Sequence, residues 1–245
     1  MTQEEFDHQK EYLALALCWE DVIRLCRNYA RECRQSGDLD HLAEALDSLY
    51  VELSLHGDEE ETKAVFDDLF ALRKALAQHN LQENGEAYAL MLHRKACTTN
   101  NIEEAVACQE EAIGIYKELG LYDEEGFDIG FDDAFGFLGK LYCYKGDYAS
   151  GIHYTTIALE RALREGDSDF NVGLYLRRLG IAYLLIGDTP KARETIHTAL
   201  DCFERSSLTE PDIDADTAVI NSCRQLLTEC DRRSHPDDYY WQWLI

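Results

Sequence analysis

The chain has 245 residues of which 46% are hydrophobic, enough for one large domain or one elongated array and too apolar for disorder over most of its length. Its 48 Asp and Glu against 23 Lys and Arg give a formal charge of -25, so nucleic acid is repelled overall and a basic partner is attracted. No window approaches the 18 or more apolar residues that would span a bilayer, and a membrane protein is not expected.

Only three prolines, at 190, 211 and 236, interrupt the chain, and apolar positions recur at three- and four-residue steps almost throughout. The periodicity predicts an all-α protein. Its helices are expected at 3–17 and 19–35 (also readable as a single helix), 40–55, 59–79, 84–99, 102–119, 131–145, 148–165, 169–186, 189–206 and 213–231.

On the helix spelled EDVIRLCRNYARECRQ, residues 20–35, Val22, Cys26, Tyr29 and Cys33 form an apolar stripe while Arg24, Arg27, Arg31 and Arg34 gather on the other side. That basic face is a candidate second surface. It is read either as a solvated face paired with acids such as Glu44 and Asp47, or as a recognition element for an acidic segment or phosphate. Farther on, His93 and Cys97 are spaced i, i+4 and offer two metal ligands, too few to specify a site against ordinary packing. Cys26 and Cys33, like Cys223 and Cys230, are seven residues apart, roughly 10 Å along a helix and too far to share one zinc. The nine cysteines read as reduced thiols rather than a disulfide framework. The acidic stretch YDEEGFDIGFDD (122–133) brings its glycine too early for a calcium loop and reads as an inter-helix connection or a contact for a basic partner.

Two segments then repeat one another. Leu138, Gly139, Tyr142, Gly146, Asp147, Ala158 and Leu159 match Leu179, Gly180, Tyr183, Gly187, Asp188, Ala199 and Leu200, each pair 41 residues apart. Gly139 and Gly180 suit a close helix approach, and Gly146 and Gly187 a left-handed helix end. Working backwards, Asn100-Asn101 and Gly57-Asp58 supply earlier turns, so the four turns at 57, 100, 146 and 187 stand 43, 46 and 41 residues apart.

This pattern resembles the tetratricopeptide repeat, in extended form as in kinesin-light-chain and bacterial peptide-sensing proteins. The resemblance covers roughly residues 40–206. It implies a right-handed superhelical solenoid of antiparallel helix pairs: capping helices over 1–36, about four repeats over 40–206, and a C-terminal capping helix with an aromatic tail over 212–245. It also implies that the first helix of each repeat lines a concave groove. Arg94, Lys140, Tyr144, Arg177 and Ile181 then become the candidate partner-binding residues. The closing PDDYYWQWLI, with Tyr240, Trp241 and Trp243, is expected either to fold back over a stripe of Val219, Cys223, Leu226 and Cys230 or to contact a partner or a second copy of the chain.

No nucleophile and base stand at recognisable spacing, and no phosphate-loop, zinc-protease or dinucleotide motif occurs. The expected function is a non-enzymatic scaffold for a protein or peptide segment, without a cofactor. The alternative is an acidic inhibitor, antitoxin or secretion chaperone that masks a basic protein. The N-terminus MTQEEFDHQK is acidic where a secretion signal would be basic and then apolar, so a cytoplasmic location is expected.

Overall fold

A computed structural model describes residues 1–121, 134–209 and 213–232. The acidic stretch 122–133 and the aromatic tail, with the expectations placed on Tyr240, Trp241 and Trp243, lie outside the described residues. Among those described there are eleven helices and no strand. They are α1 (Gln3–Leu15), α2 (Trp19–Ser36), α3 (Leu39–His56), α4 (Glu59–His79), α5 (Leu81–Thr98), α6 (Ile102–Glu118), α7 (Ala134–Lys145), α8 (Tyr148–Glu165), α9 (Asp169–Leu185), α10 (Thr189–Thr209) and α11 (Ile213–Arg232). The chain divides within α5 into two compact units, Met1–Met91 and Leu92–Ile245.

In the first unit α1 packs on α2, α2 on α3 and α3 on α4. The stripe foreseen on α2 faces inward: Val22, Cys26, Tyr29 and Cys33 are all buried, and the Tyr29 ring stacks on Phe6 at 4.5 Å. The stretch 3–36 is two helices because Leu17 takes a left-handed φ of 56°. The Leu17 amide donates to the carbonyl of Ala14 and the Cys18 amide to that of Leu13, both at 3.0 Å, which closes α1. A leucine pays about 1–2 kcal/mol for that conformation, and this side chain is 70% exposed, so no packing offsets the cost. Leu17→Gly should therefore stabilise the protein by up to about 1 kcal/mol once glycine's larger chain entropy is counted, seen as a raised thermal midpoint.

In the second unit contacts run in chain order from α6 to α11, joined by α7 against α9 and α9 against α11. That is the connectivity of stacked helix pairs. The two matched turns are built alike. Gly146 and Gly187 both take φ +84°; the Asp147 amide donates to the Tyr142 carbonyl and the Asp188 amide to that of Tyr183. The aspartate side chains then accept from the Ser150 and Lys191 amides and cap the next helices. Gly57, by contrast, is extended at φ -106°, and it is Asp58 that starts α4 by accepting from Glu60 and Glu61.

Close approach explains the paired glycines inside the helices. A Cβ on Gly180 would fall 2.3 Å from Ile196 Cγ1, and one on Gly139 2.3 Å from Thr155 Oγ1. Gly151 stands where the repeat pattern carries alanine, as Ala192 does 41 residues later. Its Cβ would meet Cys143 Sγ at 2.4 Å, so the thiol takes the space.

On α11, Cys223, Leu226 and Cys230 are at most 1% exposed and join the core made by α9 and α10, with Val219 packed beside them. The fold-back expected of the tail over this stripe lies outside the described residues.

Candidate protein-binding surface

The expected groove residues have different fates. On α7, Lys140 is half-buried with its ammonium 5.7 Å from the ring centroid of Tyr144, one turn along the same face. Tyr144 remains 41% exposed. Burial pushes its phenol up, and the positive charges of Arg178 and Arg177 oppose that rise, so both guanidinium groups of α9 act on this ring.

Arg177 is the unusual member. Its Nη1 donates to Ser222 Oγ of α11 at 2.9 Å, while its Nε is buried without a hydrogen-bond partner. No carboxylate among the described residues forms an ion pair with it. Burial holds its guanidinium below the ordinary arginine range, with the neighbouring charge of Arg178 acting in the same direction. Arg177 as a whole is half-buried, but a cation with part of its guanidinium desolvated is costly unless an anion compensates it. Arg178, beside it in sequence, lies over the Tyr175 ring at 5.9 Å. Sequence reasoning passed over Arg178 and Ser222; the Arg177-Arg178 doublet was visible, but nothing local tied it to a serine 45 residues away.

Ile181 is a correction. It is 1% exposed, packed in the α9–α10–α11 core, and cannot touch a partner. The α11 helix lies against α9, and the position that the repeat geometry assigns to the groove is covered there. Arg94 is half-buried on α5, three residues before the exposed Cys97. Cys97, Lys140 and Tyr144 share the lining of a cavity of about 230 Å³ together with Phe137.

The arginine face of α2 is exposed but engaged. Arg27 grips Glu61 of α4 through two bonds of 2.7 and 2.6 Å, and Arg34 reaches Asp68 at 2.8 Å. Arg24 pairs with Asp21 at 2.6 Å and Arg31 bonds Asn28 at 3.1 Å. The expected acid partners on α3 are replaced by acids of α4, seven residues apart like the arginines they meet; Glu44 takes Arg73 instead at 2.6 Å. Each exposed pair is worth about 0–1 kcal/mol, so this face is held in place weakly and its charge is largely answered from within.

Three further observations bear on chemistry. No helix of the described residues is long and apolar enough to cross a membrane. No group of three or more His, Cys, Asp or Glu among them is placed to hold a metal ion. His93, which with Cys97 was too little in the sequence to specify a metal site, bonds Gln109 of α6 through Nδ1 at 2.9 Å.

No protein-family model matches the chain, and no curated protein matches it in sequence. Among solved structures it is similar to BtubC (BKLC) from P. vanneervenii, with a TM-score of 0.55 and 16% identity over 89% of this chain and 94% of that one. The likeness shows a shared all-helical fold.

Proposed function

We propose that the protein is a non-enzymatic binding scaffold that engages a segment of a partner protein at the face where α7 and α9 present Lys140, Tyr144 and Arg177. The observation that carries this reading is the half-buried Arg177 guanidinium, its Nε buried without a hydrogen-bond partner, a serine hydroxyl bonded to its Nη1 and no counter-carboxylate among the described residues. A molecule with 48 acidic residues had carboxylates to spare for it. Keeping a desolvated cation unneutralised costs stability, and such costs are concentrated where a ligand supplies the missing charge. The partner group at this point is accordingly a carboxylate, from an acidic side chain or a chain end, with Tyr144 as an aromatic wall for its neighbours. The tetratricopeptide-like fold supports a scaffold role, and no cofactor enters it.

The test uses arrayed peptides that end in a free carboxylate or in an amide and carry acidic or neutral side chains. Wild type should retain carboxylate-bearing peptides, and Lys140→Glu and Arg177→Met should lose them. Arg177→Met should also raise the unfolding midpoint, because a flexible apolar side chain replaces an uncompensated buried charge. Equal retention by wild type and a folded Arg177→Met variant would move the binding surface elsewhere, first to Arg24, Arg27, Arg31 and Arg34. The formal charge of -25 favours a second reading, a protein that masks a basic partner, whether as inhibitor, antitoxin or secretion chaperone. Capture that weakens steeply with salt and survives Arg177→Met would select it.

A further inference from the structure

Of the nine cysteines, seven are buried, Cys18 is half-buried and Cys97 is exposed. Cys97 lies one helical turn after His93, with its Sγ 3.6 Å from His93 Nε2. The other ring nitrogen, Nδ1, stands 2.9 Å from Oε1 of Gln109, and Gln109 Nε2 donates to the carbonyl of Ala134 at 3.2 Å. These contacts determine where the protons sit. A backbone carbonyl only accepts, so the amide nitrogen of Gln109 must face Ala134 and its oxygen must face the imidazole. That oxygen also only accepts, so Nδ1 carries the proton, and in the neutral ring the lone pair of Nε2 is turned toward the Cys97 thiol. Both His93 and Gln109 are buried, and the edge of the imidazole packs against Phe137 at 5.1 Å, which holds the ring. A nucleophile, a base and a group that orients the base are thus in line.

The thiol also has somewhere to receive a reactant. It lines the cavity of about 230 Å³ in whose wall stand Thr99, Asn100, Phe137, Lys140 and Tyr144. The titratable groups in its wall besides the thiol are Lys140 and the neutral phenol of Tyr144, both from α7; Arg94 stands three residues before Cys97 on α5, and from α6 Glu104 is tied to Lys95 and Thr99. The cationic lysine favours a thiolate in this wall.

We propose that Cys97 is a reactive thiol that exchanges with low-molecular-weight disulfides and carries the resulting mixed disulfide in this cavity. The Cys97 S–H gives its proton to His93 Nε2, and the thiolate attacks one sulfur of the incoming disulfide. The incoming S–S bond breaks as the new one forms, and the departing thiolate takes the proton from the imidazolium. One disulfide is consumed, one small thiol is released, and a further thiol reverses the step, so no other oxidant is required. Cys97 reactivity stands independently of the binding role proposed above.

Six of the remaining cysteines provide a quiet background: burial pushes the thiols of Cys26, Cys143 and Cys223 up to about 11 and raises those of Cys33, Cys202 and Cys230. The full-length native protein is mixed with 4,4′-dithiodipyridine from pH 5 to 9, the released thiopyridone is followed by stopped flow, and the labelled residue is located by mass spectrometry. One fast equivalent is expected, on Cys97 and absent from Cys97→Ser. Its thiolate midpoint should fall below about 7.5, and its rate at pH 6 should exceed that of an unactivated thiol roughly fivefold, the larger thiolate fraction outweighing the weaker nucleophile. His93→Phe should return the midpoint to about 8.5. Gln109→Met, which leaves the imidazole and thiol in place but frees the ring's proton, should move it partway. A native midpoint near 8.5, or a fast label on another cysteine, overturns the proposal. Should His93→Phe fail to fold, the native midpoint and the Gln109→Met shift decide the matter.

Discussion

Phe203→Ala should lose about 3–5 kcal/mol of unfolding free energy, a large share of the roughly 5–15 kcal/mol that holds a protein of this kind together. The Phe203 side chain is 0% exposed and lies directly on the backbone of α9: a Cβ on Gly173 would be 2.8 Å from its Cε1. The ring of Phe170 meets it edge to face at 5.6 Å. With the ring wedged between Gly173 and Phe170, little relaxation is expected, so the cavity term should add to the lost transfer energy. Urea unfolding followed by helical circular dichroism measures the loss. Phe203→Leu keeps most of the volume and should cost under about 1.5–2 kcal/mol. A Phe203→Ala loss below that of Phe203→Leu would show that the α9–α10 contact can relax, contrary to the packing described.

The second large effect is expected from addition rather than removal. In Gly180→Leu the new Cβ arrives 2.3 Å from Ile196 Cγ1 and within 3.4 Å of the Ala192 carbonyl, at the closest approach of α9 and α10. Overpacking costs about 1–3 kcal/mol, and leucine's better helix propensity returns at most about 1 kcal/mol. The identity of the clashing atom offers a sharper test. Ile196→Ala alone, at 0% exposure, should cost about 2–5 kcal/mol, but it makes the room that the introduced leucine side chain needs. The double variant should therefore be more stable than the sum of the two losses, with a coupling of about 1 kcal/mol or more. Additive losses would mean that Gly180 is required for something other than its contact with Ile196. The same cycle at Gly139 should rescue less well, because part of what a Cβ meets there is the Thr155 backbone nitrogen at 2.9 Å, which no substitution removes.

Helix positions and the register of the helix pairs were determined by the sequence alone, because the forces that set them are local. The three- and four-residue apolar rhythm selects helix over strand. The turns at 146 and 187 are made by hydrogen bonds spanning only a few residues, Asp147 to Tyr142 and Asp188 to Tyr183, which a Gly-Asp pair announces by itself. The break between 17 and 19 was also legible, with a single helix as the alternative; that Leu17 makes it in the left-handed region was not, because a leucine there carries none of glycine's signal.

What covers a helix face belonged to the tertiary structure. Periodicity gives the direction in which a side chain points but not what stands opposite it. That is why Ile181 moved from an expected groove into the α9–α10–α11 core, where the stripe of Cys223, Leu226 and Cys230 also packs. The arginines of α2 share one exposed face, yet the acids that meet Arg27 and Arg34 stand 34 residues on, in α4. At the candidate sites the same rule decides the chemistry. Arg177 became unusual only when Ser222 was brought beside it in place of a carboxylate, and His93 acquired a preferred tautomer only when Gln109, itself held by Ala134, closed on its Nδ1. Such contacts join helices far apart in the chain, and their energies depend on burial, a quantity that exists only after the helices have packed.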